Sequence, residues 1–250
     1  MIDDGLPEAT ARRRFYAVDQ DGLLVEGMTE HQPFQAPFVQ PRAAIEGWIL
    51  GRPGRIGLLD VVANARPTAL IGVSGQPGMF TEDIVRMMAG AVARPVIFPL
   101  SNPTERSEAT PADLDDWSEG RAVIATGSPF PPLKRRGKEF RVDQNNNAYV
   151  YPGIGLGAIA VRARRISDGM FLAAANAIAA QSPARRDPDA NLLPPLLEIR
   201  KLSFQVALAV ARQAQKEGCA DALSQEETAA AIGAKMWEPV YAPYRRIART

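Results

Sequence analysis

An apolar run, Val96 to Leu100, passes directly into Ser101-Asn102-Pro103-Thr104. This junction constrains the fold more than any other stretch, because in an open α/β sheet small molecules bind outside the carboxyl ends of the strands, where a polar side chain is offered to them. The design recurs along the chain. FYAV ends at Asp19, ALIGV ends at Ser74-Gly75, and AVIA ends at Thr126-Gly127-Ser128. Helical patterns separate these segments. GLLDVVANA at 57–65 has an apolar face, Thr81 stands as an N-cap before EDIVRMMAGAVA, and Thr110-Pro111-Ala112-Asp113 places a cap, a proline at N1 and an acid at N3. Strand alternating with helix is the signature of a parallel sheet. The pattern therefore implies half of a nucleotide-binding sheet and one wall of a site.

The remaining segments read as follows. A helix from Glu8 to about Arg13 feeds the strand Phe15 to Val18, residues 26–42 form a long loop rich in Pro and Gln, and a short helix covers Ala43 to Leu50. Strands run from Ala69 to Val73 and from Val96 to Leu100. Past Phe130 the character changes: LKRRGKEFRV is a hairpin around Gly137, and NNNAYVYPG is an extended segment ending in a turn. Everything after that is helical, with helices expected over Ile154–Arg164, Ser167–Gln181 capped by Ser167, Pro194–Glu217 and Gln225–Lys235. The composition shift places a boundary near Asn146.

Charge and cysteine usage exclude several classes. With 29 basic and 28 acidic residues the net charge is +1, which supplies no field for nucleic acid or an anionic membrane. The single cysteine, Cys219, excludes an internal disulfide framework and a cysteine-based zinc site, as suits a reducing cytoplasm. No apolar run reaches the roughly 20 residues of a membrane span, and the acidic start MIDDGLPEA does not fit a signal peptide. His31 and Cys219 each stand alone, so neither a metal site nor a Ser-His-Asp set is expected.

Individual motifs have competing readings. Asp19 closes its strand, as does the acid that accepts hydrogen bonds from adenine ribose hydroxyls in dinucleotide folds; it is also an ordinary turn acid. No Lys or Arg follows it directly, which favours NAD over NADP. Gly153-Ile154-Gly155-Leu156-Gly157-Ala158 fits the loose G-x-G-x-x-G/A fingerprint, yet only helix follows where a second acid-terminated strand is required. These glycines are expected to serve close helix packing. Asn145-Asn146-Asn147 is either a surface turn or a set of amides that orient a carboxylate or hydroxyl. The basic stretches Lys134–Arg141 and Arg162–Arg165 are expected to be solvated surfaces.

DGLPEATARRRFYAVDQDGLL, LIGVSGQPGMFTEDIVRMM, RPVIFPLSNPTERSEATPADL, EGRAVIATGSPF and NNNAYVYPGIGLGAIAVRARRISDGMFLAAANAIA, taken together and in order, resemble the malic enzymes of the NAD-linked class. The resemblance implies an incomplete Rossmann-like parallel sheet followed by a helical carboxyl-terminal region. It implies oxidative decarboxylation of L-malate to pyruvate and CO2 with reduction of NAD, assisted by Mg or Mn. Asp19 corresponds to the family's ribose-binding acid, and Ser74 and Gly75 to its loop near the cofactor. Asn102 and Asn147 correspond to asparagines that contact cofactor ribose or malate, with Asn146 beside the second. Family members are usually dimers or tetramers, so a homo-oligomer is expected.

Departures from the family pattern carry equal weight. The catalytic tyrosine, the lysine base, the metal-binding carboxylates and the Gly-rich pyrophosphate loop belong to the region before this chain in the family. Asp3 and Asp4 do not match the metal motif, and Lys134, Lys138, Lys201, Lys216 and Lys235 lie in segments that do not supply the base. No catalytic residue and no metal ligand is therefore assigned here. The expected organisation is a partial NAD-binding domain over 1–146 lacking its first strand, a helical return into the substrate domain over 147–220, and a tail segment over 221–250. Such a portion alone is expected to be inactive, and the alternative is a non-catalytic nucleotide-binding or partner-docking module.

Overall fold

The computed structural model describes the chain except residues 28–30, 53, 136, 242 and 245–250, so parts of the expected 26–42 loop, the basic stretch Lys134–Arg141 and the 221–250 tail lie outside the described residues. It divides into two compact units, Met1–Gln144 and Asn145–Thr250.

The first unit opens with α1 (Glu8–Arg12) and a short antiparallel pair, β1 (Val18–Asp19) and β2 (Gly22–Leu23). Then come α2 (Leu58–Ala65), β3 (Ala69–Gly72), α3 (Glu82–Ala91), β4 (Val96–Pro99), α4 (Pro111–Trp117) and β5 (Val123–Thr126). A hairpin of β6 (Leu133–Arg135) and β7 (Lys138–Phe140) precedes β8 (Asp143–Gln144), as the glycine at 137 predicts. The main sheet has the order β3-β4-β5-β8 and every pairing in it is parallel.

Successive strands advance in one direction, and right-handed crossovers then deposit every connecting helix on the same face. The packing agrees: Leu70, Ile97 and Ile124, aligned across the sheet, share one core with Val62 of α2, Ile84, Val85 and Met88 of α3, and Leu114 of α4. The other face carries Ala69, Ile71, Val96, Phe98 and Val123. There Ile71 is 59% exposed and Val73, just past the strand, 78%. Parallel sheets ordinarily have both faces covered; here this face is partly exposed, and among the described residues β3 stands at the sheet's edge.

The strand expected at Phe15–Val18 is corrected. Only Val18 and Asp19 enter a ladder, and it is antiparallel and outside the main sheet. Strand character is realised only where a neighbour offers a ladder. Here the Phe15 carbonyl instead accepts from Gln40 Nε2 at 2.6 Å, Phe15 packs edge-on against Phe38, and Tyr16 tilts against Trp48. Leu23, Val25 and Val61 form a satellite core, so α2 is shared: Val61 faces this hairpin and Val62 faces the sheet.

Helix ends show how local chemistry sets boundaries. Thr110 caps α4 as expected, accepting from the Asp113 N–H at 3.2 Å and donating to the Asp113 carboxylate at 2.7 Å. Thr81 occupies the N-cap position of α3, but its side chain makes no capping bond; Glu82 and Asp83 complement the helix dipole there instead. The helix expected over Ala43–Leu50 shrinks to a 3-10 turn, Arg42–Ile45.

The second unit contains α5 (Tyr151–Ala160), α6 (Asp168–Ala180), α7 (Ile199–Lys216) and α8 (Gln225–Lys235). Leu202, Val206, Ala207, Val210, Ala211 and Ala214 repeat at helical spacing and line the buried side of α7, against which α5 and α6 both pack. The extended segment expected at NNNAYVYPG is corrected: Asn146 caps a 3-10 turn, Asn147–Tyr149, and α5 starts at Tyr151 with Pro152 in its first turn. Proline suits that position because its missing N–H has no helical partner to lose. Likewise α7 begins at Ile199, after the prolines at 194 and 195, and α5 ends before Arg162, whose φ of 53° leaves the helical region. Ser167 caps α6 as expected, accepting from the Met170 N–H at 3.2 Å.

Candidate functional site

Three neighbouring strands deliver their ends to the carboxyl edge of the sheet, and each end is polar. After β3 come Ser74 and Gly75, after β4 Ser101 and Asn102, after β5 Gly127 and Ser128. The parallel register sets these loops side by side, with Leu100 N–H donating to the Gly72 carbonyl at 2.8 Å and Gly127 N–H to the Pro99 carbonyl at 3.1 Å.

One buried carboxylate fastens the first two loops. Glu108 is completely inaccessible. Its Oε1 accepts from the Ser74 N–H and hydroxyl, both at 2.8 Å, and from the Ser101 hydroxyl at 2.5 Å, while Oε2 accepts from the Ser101 N–H at 3.4 Å. Ser101 Oγ also accepts from the Gly75 N–H at 2.8 Å. Arg106 donates to the Gly75 carbonyl. Gly72 makes room for this arrangement: a Cβ there would stand 2.5 Å from Glu108 Cδ and 2.7 Å from Phe80 Cζ.

The second junction joins the β4 and β5 loops. Ser128 donates to Asn102 Oδ1 at 2.5 Å, and Asn102 Nδ2 donates to the Leu100 carbonyl at 3.3 Å, so both ends of the exposed amide are fixed. Gly127 allows the loops to meet, since a Cβ on it would fall 2.0 Å from the Leu100 carbonyl oxygen. Gln144, at the end of β8, donates to the Gly127 carbonyl at 3.1 Å. The result is one continuous hydrogen-bonded rim.

Burial pushes the Glu108 pKa up, but the Ser101 hydroxyl, the Ser74 N–H and the Ser74 hydroxyl outweigh it and hold the carboxyl below its ordinary value. A carboxylate whose folded pKa is depressed contributes stability above its unfolded pKa of about 4.3, and that contribution is lost as pH falls through the folded value. Melting the chain between about pH 7 and about pH 3 should therefore show a steeper acid loss for the parent than for Glu108→Gln. Equal acid slopes would contradict this assignment.

Of the residues singled out by sequence, Ser74, Gly75 and Asn102 come together on this rim. Asp19 does not share their network; it lies half-buried at the β1–β2 turn, its carboxylate accepting locally from the Asp21 N–H at 2.9 Å and from Gln35 at 3.3 Å. Asn146 and Asn147 belong to the second unit and are exposed, and the Asn146 side chain accepts from the Ala148 N–H at 2.9 Å. Sequence reasoning missed Glu108. It sits in a connection, and nothing in its spacing announces partners 34 and 7 residues away.

Gly153 and Gly157 are not a phosphate loop. They lie inside α5, where added Cβ atoms would stand 2.5 Å from Val206 and 2.5 Å from the Ala207 carbonyl oxygen, in keeping with the packing reading. The rim offers polar side chains and backbone groups of the kind a dinucleotide requires, and Gly75, at φ +64°, has open space where a Cβ would be. A pyrophosphate cradle is not found among the described residues. Nor do the described residues include a group of three or more His, Cys, Asp or Glu able to hold a metal, so these residues by themselves do not fit a divalent ion. Among them, no helix is long and apolar enough to cross a membrane.

A parallel sheet with a hydrogen-bonded polar rim at its carboxyl edge places the first unit in the Rossmann-like α/β class. Comparison with known proteins narrows the class: the family model described as "Malic enzyme, NAD binding domain" matches residues 1–215, and the chain belongs to the malic enzyme family. It is 48% identical over 246 residues to the NAD-dependent malic enzyme of Edwardsiella ictaluri, covering 98% of this chain and 43% of that protein. The NAD-dependent malic enzyme of Acinetobacter baylyi is 45% identical, with 99% and 44% covered. The chain thus spans less than half the length of these relatives. Among solved structures, the malic enzyme of Entamoeba histolytica superposes with a TM-score of 0.63 at 24% identity, over 87% of this chain and 41% of that one, a likeness of fold. The malic enzyme of Pyrococcus horikoshii gives a TM-score of 0.59 at 25% identity, over 84% and 44%.

Proposed function

We propose that this chain is the cofactor-side portion of an NAD-dependent malic enzyme, which as a whole converts L-malate to pyruvate and CO2 while reducing NAD. The observation that carries this reading is the rim: three adjacent strand ends, held in one network, present Ser74, Gly75 and Asn102 where an α/β sheet binds its ligand. In this reading Asp19 accepts from the adenine ribose hydroxyls, the Ser74–Gly75 backbone lies along the cofactor, and Asn102 faces cofactor ribose or malate. Asn146 and Asn147 serve malate. Residues 1–146 form the partial NAD-binding domain, 147–220 the helical return into the substrate domain and 221–250 its tail. The whole protein is a cytoplasmic homo-oligomer that uses Mg or Mn.

Base, acid, metal ligands and pyrophosphate loop have no counterparts assigned in this chain, so its partial fit to NAD does not extend to turnover. NADH formation should be measured with L-malate, Mn²⁺ and NAD⁺, using the 250-residue chain beside the same chain extended upstream in its reading frame. Turnover by the extended protein only is expected. Turnover by the short chain would mean that its own lysines and carboxylates supply the chemistry. A second reading, a docking module completed by another polypeptide, draws on the exposed Ile71 and Val73 beside the free edge of β3. It predicts that a separately supplied amino-terminal half restores activity.

A further inference from the structure

We propose that Glu108 is a positioning residue: its carboxylate clamps the Ser74–Gly75 and Ser101–Asn102 loops into one unit and so sets the shape of the rim. The consequence for NAD rests on the reading given above; the clamp itself does not.

A carboxylate withdrawn completely from water is retained only if its lone pairs are filled, and Glu108 takes four donors from two different loops. Two of these are hydroxyls that can rotate, and two are backbone N–H groups that cannot. The backbone donors therefore fix where the chain runs after β3 and after β4. The hydroxyls relay the hold outward, because Ser101 Oγ takes the Gly75 N–H and Ser74 Oγ takes the Gln76 N–H at 3.1 Å. Glu108 is also pinned from its own side. Its carbonyl accepts from the Phe80 N–H at 3.2 Å, and Gly72 leaves no room for any side chain between the strand and the carboxylate. The group itself does not touch solvent. It acts through Ser74, Gly75 and Ser101.

An amide at this position cannot reproduce the set. In Glu108→Gln one terminal atom becomes an NH2 that opposes a donor, either the Ser101 N–H or the Ser74 N–H. Removing Ser101 Oγ by Ser101→Ala takes away both its bond to the carboxylate and its bond from Gly75, while leaving the carboxylate in place. The two variants should weaken the same loop by different routes.

The test is native-state amide exchange on the 250-residue chain, comparing the parent, Glu108→Gln, Ser101→Ala and Leu114→Ala. Leu114 is fully buried in α4, and its loss loosens the same core without touching the clamp. Glu108→Gln should lower protection at the Ser74 and Gly75 amides about tenfold or more relative to the Ile97 amide in the centre of the sheet. Ser101→Ala should do so at Gly75, and Leu114→Ala should shift all of them together. Loss in Glu108→Gln that runs in step with Ile97, or no loss, overturns the clamp. Should Glu108→Gln fail to fold, Ser101→Ala decides the question by the same criterion. NAD titration of the same proteins adds a second readout. If the parent binds NAD, Glu108→Gln should weaken it about tenfold or more beyond Leu114→Ala, and unchanged affinity would overturn the positioning role. If the parent does not bind NAD, the failure belongs to the cofactor reading for this chain, and exchange alone decides the clamp.

Discussion

Replacing Gly157 by alanine is expected to destabilise the helical unit by about 2 kcal/mol, whereas the same replacement at Gly155 should stabilise it by up to about 1 kcal/mol. Both glycines lie in α5. An alanine in a helix interior gains roughly 1 kcal/mol over glycine, so the sign depends on space. At Gly155 nothing stands within 4 Å of a new Cβ; at Gly157 the Cβ would meet the Ala207 carbonyl oxygen at 2.5 Å and Ala207 Cα at 3.0 Å. Those atoms are backbone of α7, which can yield only by moving the helix. Denaturant unfolding followed by far-ultraviolet circular dichroism reads both variants. Equal shifts at 155 and 157 would remove the packing explanation for this glycine run.

Gly127→Ala is expected to cost about 3 kcal/mol, the upper range for forcing an atom into a filled site, and to disorder the rim between β4 and β5. The new Cβ would sit 2.0 Å from the Leu100 carbonyl oxygen and 3.0 Å from Asn102 Nδ2, so the clash falls on the loop that carries Asn102. Gly90→Ala is the control in the same unit: Gly90 belongs to α3, has open space around it, and should gain stability. Thermal melts give the stability difference, and nuclear magnetic resonance shifts of Asn102 and Ser128 report the loops. Unchanged shifts in Gly127→Ala would mean that the Ser128 to Asn102 contact does not depend on that close approach.

Much of the first unit was legible because its strands announce themselves twice, by an apolar run and by the polar residue that ends it. β3, β4 and β5 obey this rule and fall where the runs place them. Phe15 to Val18 obeys it too and yet forms no strand of the main sheet. An apolar run states what a segment can pair with, and a ladder needs the other strand. The helical unit was legible through the periodicity of α7 and the Ser167 cap, but not at NNNAYVYPG, where the local bond from Ala148 to Asn146 wins over extended chain. Ser74, Gly75 and Asn102 were visible as strand ends. Glu108 was not, because its role comes from the register that brings Ser74 and Ser101 together, and register belongs to the sheet rather than to any one segment.

Because β3, β4, β5 and β8 advance in a single direction, the open edge of β3 is a seam. On one face α2, α3 and α4 pack against Leu70, Ile97 and Ile124; on the other, Ile71 stays largely exposed beside the edge of β3. A strand supplied in trans would therefore be sought along Ala69–Gly72, where pairing would satisfy the edge backbone and lie beside the exposed Ile71 and Val73.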